Sequence, residues 1–431
     1  MRVLRVYHAG RDPAHRRRDR ALALSGVDVT LVVPTNWPDH GAEEHLTPES
    51  FDIVELDVLR AGDVNRHRYA DSRQVRDVLL RVRPDVLDLH EEPVSVAARQ
   101  WLTAARSVRA DLPVALYTAQ NLDKRFPPPF AQYERRALQQ AVAMYPCSLQ
   151  AASVARGKGF LKTIQVLPLG IDPDVFRPGS QRLDDEIVLG FVGRLVPEKG
   201  FADAVRVLAA VREHRPVRLH VVGSGPDADA GMALARTLGV ADAVELTSWC
   251  STADLAKAYR GMHLLLVPSR ATATWVEQFG RVMVEAKASG TVVAGYRSGA
   301  IAEVGGSAAV LVPEGDVQAL ASAVLDLLAD RVEFCRRRES GLVEAATCNW
   351  TDVAKRQAEL YTRMLAAHGN DSRARKGARL ASARRRRSEA AAEFGAPARV
   401  LGQTRPFALP LLRRPTAASR ALGGLLDLLE R

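Results

Sequence analysis

Short apolar runs recur along the chain, separated by stretches in which apolar residues return every three or four positions. Val3–Tyr7, Val29–Val33, Val86–Leu89, Val114–Tyr117 and Ala141–Met144 read as strands, and Ser72–Arg83 is the clearest intervening helix. Runs of this kind are what buried parallel strands joined by crossover helices look like. The pattern resumes after Asp172 with Ile187–Val192, Val217–Val222, Leu264–Val267, Val292–Ala294 and Val310–Val312, which predicts a second doubly wound sheet. Between the two sets, Leu167–Pro178 holds three prolines and a glycine in twelve residues, a composition that permits neither helix nor central strand. The chain therefore crosses between domains there. The reading is an α/β protein with a first domain at 1–170, a second at 171–349, an amphipathic helix at 350–366 returning toward the first, and a tail at 367–431. The helix carries Val353, Ala354, Leu360, Tyr361 and Leu365 on one face.

Length and composition agree with two cores: 431 residues, 47% hydrophobic. The longest uncharged run, Ala137–Ala155, is broken by Gln139, Gln140, Pro146 and Ser148, so no transmembrane span is expected. Met1–Tyr7 reads as a strand rather than a secretory leader, and the expected location is cytoplasmic. The net charge of +10 is concentrated in residues 371–431, which hold 14 Arg or Lys against 5 Asp or Glu and leave +1 on the rest. A nearly neutral body lacks the basic face that phosphate backbones require, so no nucleic-acid partner is expected. The tail's Arg384–Arg387 block and its leucines 422, 425, 426 and 429 would suit an anionic membrane surface; an unstructured tail with a weak terminal helix is the alternative. Cys147, Cys250, Cys335 and Cys348 show neither disulfide nor zinc spacing.

Two segments could carry chemistry. Strand Ile187–Val192 runs into Gly193-Arg-Leu-Val-Pro-Glu-Lys-Gly200, whose Arg194 and Lys199 could embrace a diphosphate at the mouth of a parallel sheet. Glu277-Gln-Phe-Gly280 opens a helix in which Glu285 leans back toward the same end, so two carboxylates flank one pocket and could accept from the neighbouring hydroxyls of a nucleotide sugar. The triplets Asp172-Pro-Asp174 and Asp227-Ala-Asp229 fall in the linker and at a helix start, where turn and capping roles explain them, and no metal site is predicted. Gly157-Lys158-Gly159 lacks the spacing of a phosphate loop and reads as a helix end.

In order and spacing these pieces resemble the family-four group of retaining GT-B glycosyltransferases. Gly193-Arg194-Leu195-x-x-Glu198-Lys199-Gly200, Val222-Gly223-Ser-Gly225-Pro226, Val267-Pro-Ser-Arg270, Glu277-x-Phe279-Gly280-x4-Glu285-Ala286 and Leu311-Val-Pro-x-Gly315-Asp316 are similar to its successive signatures. The resemblance covers residues 1–366 and is dense only after Leu167. It implies a GT-B fold of two Rossmann-like domains facing a cleft, and a nucleotide-sugar donor, UDP- or GDP-linked, as co-substrate with no cofactor. It also implies that Arg194 and Lys199 hold the diphosphate, Glu285 the ribose, and Glu277 with the Phe279 and Gly280 amides the transferred sugar, near Gly223.

The first half departs from that family. The loop Ala9-Gly10-Arg11-Asp12 has one glycine where many members have two, leaving Gly10 alone to approach the donor phosphate. Where many members carry a histidine after the strand at Val114–Tyr117, this chain reads Thr118-Ala-Gln-Asn121. His90 and Glu91, at the end of a strand, become the acceptor-side candidates, with His90 the possible catalytic one and Gln120 and Asn121 possible hydrogen-bonding partners; a partly buried, backbone-bonded His90 is the competing interpretation. The five arginines of Arg11–Arg20 suit either an anionic acceptor or, more simply, a solvated helix face. The acceptor itself is expected to be a glycan or lipid-linked. A nucleotide-sugar epimerase of the same fold and a non-catalytic nucleotide-sugar-binding scaffold remain alternative functions.

Overall fold

The computed structural model describes residues 1–38, 45–180, 183–184, 186–248, 250–368 and 382; the tail's basic block and leucine stripe lie outside the described residues. The strands are β1 (Arg2–Val6), β2 (Asp28–Pro34), β3 (Asp52–Leu56), β4 (Val58–Leu59), β5 (Arg68–Tyr69), β6 (Val86–Leu89), β7 (Val114–Thr118), β8 (Ala143–Pro146), β9 (Thr163–Ile164), β10 (Ile187–Val192), β11 (Val217–Val222), β12 (Val244–Thr247), β13 (Leu264–Val267), β14 (Val292–Tyr296) and β15 (Val310–Val312). They build a parallel seven-stranded sheet ordered β3-β2-β1-β6-β7-β8-β9 and a parallel six-stranded sheet ordered β12-β11-β10-β13-β14-β15. The small β4-β5 hairpin is antiparallel. This is the GT-B arrangement of two Rossmann-like sheets.

Three strands differ from the sequence expectation for identifiable reasons. The run Ala141–Met144 starts as a helix end, because the Ala141 amide still bonds the Ala137 carbonyl, and the strand begins only at Ala143. β3 and β12 carry no apolar run, since each is a sheet edge with polar residues interleaved. At Asp227 the expected side-chain cap is absent: the residue precedes the helix Ala228–Thr237, but its backbone, not its carboxylate, makes the bonds there.

The chain leaves the first sheet and returns to it through one narrow crossing. Ile171 pairs with Asn349, the Ile171 amide bonds the Cys348 carbonyl and the Trp350 amide bonds the Ile171 carbonyl. Gly170 lies so close to the Trp350 ring that a Cβ there would collide with it. The returning helix spans 350–368. Its Val353, Ala354, Leu360, Tyr361 and Met364 pack into one cluster with Val3, Leu22, Val29 and Val86.

A buried polar knot fixes this helix to the sheet. Arg5, on β1 and 1% exposed, places Nε 2.5 Å from Asp19 and pairs through Nη1 with Asp88 on β6. Asp88 also accepts from the Tyr145 and Tyr361 hydroxyls and, at 2.9 Å, from Gln357 Nε2, while Arg18 reaches Gln357 Oε1 at 3.3 Å. The solvated-face reading of the Arg11–Arg20 segment fails for three of its members: Arg11, Arg16 and Arg18 are buried, on Glu55, on the Gly10 and Arg11 carbonyls, and on Gln357 with the Pro168 carbonyl, respectively. Removing one member of a buried ion pair leaves an uncompensated charge, so Asp88→Ala should cost roughly 3–5 kcal/mol, and Tyr361→Phe, which removes one charge-assisted hydrogen bond, roughly 1.5–3 kcal/mol. Chemical denaturation of the two variants checks the ranking.

Candidate active site

In each sheet the strand order turns at one place: β1 lies between β2 and β6, and β10 between β11 and β13. Connections leave such a pair in opposite directions, opening a crevice at the strands' carboxyl ends. The loops after β1, β6, β10 and β13 therefore line the region where a ligand can enter.

In the second domain, glycines let these loops touch. A Cβ on Gly223, which follows β11, would collide with the Gly193 carbonyl, and one on Gly200, which sits at φ 76°, would collide with the Pro268 carbonyl at the end of β13. The loop 193–200 is thereby pressed between β11 and β13. Its Lys199 Nζ lies 2.5 Å from Glu277 Oε2 and 4.9 Å from the centre of the Trp275 ring. Arg194 is exposed and has no ion-pair or hydrogen-bond partner among the described residues.

Gly280, at φ 76°, breaks the loop and opens the helix Arg281–Ala288, while Phe279 is buried in the hydrophobic cluster that also holds Met283 and Phe176. Glu285, one turn into the helix, is buried; its carboxylate accepts from the Tyr259 hydroxyl at 3.1 Å and faces Arg281 Nε at 3.2 Å. Burial raises the Glu285 pKa above the usual carboxylate value, against the opposing pull of Arg281 and Arg17.

The first domain closes onto this same turn. Asn121 Nδ2 donates to the Glu277 carbonyl at 2.6 Å, Cys147 Sγ lies 3.8 Å from the Gln278 carbonyl, and Glu303 receives the Leu149 amide at 2.7 Å at the start of the helix Leu149–Gly157. Arg17, half-buried, acts electrostatically on Glu285 and Arg281 from the first domain.

Comparison with known proteins agrees with this geometry. The family described as glycosyl transferases group 1 matches residues 174–341, and glycosyltransferase family 4 matches residues 20–175. Both models describe glycosyltransferases, and each matches one half of the chain. The D-inositol 3-phosphate glycosyltransferase of Stackebrandtia nassauensis is 35% identical over 211 residues, 44% of this chain and 46% of the relative. The MMP alpha-(1->4)-mannosyltransferase of Mycolicibacterium hassiacum is 30% identical over 207 residues, 47% of this chain and 49% of the relative. The chain thus spans about half the length of the curated relatives it matches. Among solved structures, sucrose-phosphate synthase from Thermosynechococcus elongatus superposes with a TM-score of 0.65 at 19% identity, covering 85% of this chain and 100% of that one. Anabaena HepE in complex with UDP and glucose gives 0.65 at 17% identity, covering 84% and 100%. These two likenesses establish the fold.

On the first-domain side of the cleft the structure redistributes the candidates. His90 is buried, stacked on Tyr117 at 3.9 Å between ring centres and bonded through Nδ1 to the Tyr145 hydroxyl at 3.2 Å. Burial, with Arg18 and Arg5 nearby, holds its pKa well below the ordinary imidazole value, so it is a neutral packing residue. Glu91 is also buried, and both its oxygens are occupied by His8, the backbone amide at 2.8 Å and Nδ1 at 2.7 Å. Gln120 takes up Lys158 at 3.0 Å, and Asn121 serves the interdomain contact. Gly10 gives its amide to the Tyr7 carbonyl and is held against Val33 and Leu31, a packing reason for glycine in place of the expected phosphate contact.

Two histidines and one arginine come forward in their stead: His8, His67 and Arg17. His8 stands two residues past the end of β1, a position at the switch point that strand topology alone marks, whereas nothing local to His67 announces it.

Glu285 yields a signed pH prediction. With its folded pKa above the unfolded value, the carboxyl gives up its proton less readily in the folded state, so it reduces stability progressively as pH rises from below the unfolded value through the folded one. Glu285→Gln should therefore match or exceed the parent's melting temperature at pH 7, with the difference vanishing in acid. Thermal unfolding across pH checks this.

Proposed function

We propose that this chain transfers a glycosyl group from a nucleotide sugar to a hydroxyl acceptor with retention of anomeric configuration, and that protein cations, rather than a metal, neutralise the donor diphosphate. The carrying observation is the Lys199–Glu277 pair on the same loop, 193–200, as exposed Arg194, which has no partner among the described residues. A diphosphate entering between Arg194 and Lys199 would draw Lys199 away, and the freed Glu277 carboxylate, buried and already placed, would accept from the sugar hydroxyls. The two cations would then oppose the negative charge that grows on the leaving diphosphate as the bond from the anomeric carbon to its oxygen breaks. Glu285 would accept from a ribose diol, the role the resemblance implies for it.

That HepE was solved with UDP and with UDP-glucose supports a uridine donor, and the relatives named as D-inositol 3-phosphate glycosyltransferases support glycosyl transfer. Retention is what the resemblance to family four implies. For the acceptor, the basic sequence of residues 371–431 supports a glycan or lipid-linked molecule at the inner, cytoplasmic face of a membrane. Among the described residues no helix is long and apolar enough to cross one.

Nucleotide binding tests the donor site directly. UDP at 100 times its dissociation constant should stabilise the parent by about 2.7 kcal/mol without added metal, and should fail to stabilise the Arg194→Ala, Lys199→Ala variant. Differential scanning fluorimetry with UDP, GDP, ADP and dTDP reads both; equal stabilisation of parent and variant would remove the assignment.

A further inference from the structure

At the carboxyl edge of the first sheet, His8, His67 and Glu91 converge, with ligand-capable atoms within 4.8 Å of one another. His8 Nδ1 lies 2.7 Å from Glu91 Oε2, and His67 Nε2 lies 3.8 Å from that same oxygen. For a tetrahedral zinc ion with metal–ligand bonds near 2.0–2.1 Å, neighbouring ligand atoms stand roughly 3.3 Å apart, a value these two distances bracket.

His67 supplies the argument for a ligand. It is fully buried, and its Nε2 has no hydrogen-bond partner among the described residues. Its Nδ1 sits 3.1 Å from the Asp63 carbonyl, which can only accept, so Nδ1 carries the proton and Nε2 presents a lone pair. In the neutral ring that lone pair faces a carboxylate oxygen 3.8 Å away, and two acceptors confronting each other in a buried place are stabilised by a cation between them, a second ring proton or a metal ion. The supporting shell is of the kind that orients metal ligands: the Asp63 carbonyl sets the His67 tautomer, and the His8 amide holds Glu91 Oε1 at 2.8 Å. The Trp37 ring, 4.5 Å from His8 and 5.0 Å from His67 between centres, covers one side.

We propose that His8 Nδ1, His67 Nε2 and Glu91 Oε2 bind one zinc-type divalent ion on the acceptor side of the cleft, leaving a fourth position for an oxygen of water or of the acceptor. Two imidazoles and one carboxylate form a three-ligand set that suits such an ion and leaves that position open. The site is separate from the donor diphosphate loop. Binding exchanges the Nδ1 proton of His8 for the metal, and that proton goes to solvent.

The test uses the full chain after chelator treatment. Isothermal titration with zinc chloride in two buffers of different ionisation enthalpy should give one ion per chain with proton release, and cobalt chloride should give the visible d–d absorption of a tetrahedral centre without a thiolate charge-transfer band. His8→Gln and His67→Gln each remove a direct ligand and should each weaken zinc binding more than tenfold. UDP stabilisation of each variant reports that it is folded and keeps this outcome apart from failure of the donor site. Absence of zinc binding by the folded parent, a thiolate band, or undiminished binding in folded variants overturns the proposal.

Discussion

The positive charge of Arg5 lies in the middle of the first domain and must be met on every side. A buried guanidinium is tolerated only when anions and hydrogen-bond acceptors surround it, and its partners come from distant parts of the chain. Asp19 of the helix Arg17–Leu24 and Asp88 of β6 pair with it directly, and Asp88 in turn accepts from Tyr145 of β8 and from Gln357 and Tyr361 of the helix that returns at 350–368. The first domain is thus completed only when the chain has built the second and come back. That requirement also explains the crossing at Ile171 and Asn349, where outgoing and returning strands bond each other and hold the two sheets at one place.

The cleft inherits its character from this arrangement. The turn Glu277–Gly280 is where the second domain meets the first, so one short segment bears the carboxylate paired with Lys199, the carbonyl taken by Asn121 and the start of the helix containing Glu285. Asn121 and Cys147, from different loops of the first domain, touch backbone carbonyls there and leave the Glu277 carboxylate free to face Lys199. Closure and donor contact are therefore made by the same few residues, and a ligand that moves Lys199 acts on the turn that joins the domains.

Much of the second domain was legible in the sequence because its cues are local. β10 and β13 are continuous apolar runs buried along nearly their whole length, β11 buries Val217, Leu219 and Val221 in alternation with Arg218 and His220, and the glycines at 193, 200, 223 and 280 stand where loops touch or where the backbone takes a positive φ. The first domain was less legible. His90 and Glu91 stand at a strand end, as a ligand-facing pair would, yet one is stacked among tyrosines and the other is consumed by His8. The arginines of 11–20 look solvated in sequence, yet Arg11, Arg16 and Arg18 are interior, and the partners of Arg18, Gln357 and the Pro168 carbonyl, lie more than a hundred residues away.

The sequence by itself determined the two doubly wound sheets, the crossing between them, the loop that bears Arg194 and Lys199 and the turn and helix that bear Glu277 and Glu285, since periodicity, glycine and proline act over a few residues. Only the tertiary structure decided which side chains face the cleft from the first domain. Burial and partnership there depend on residues far apart in the chain, so His8, His67 and Arg17 acquire their places from contacts that no local pattern encodes.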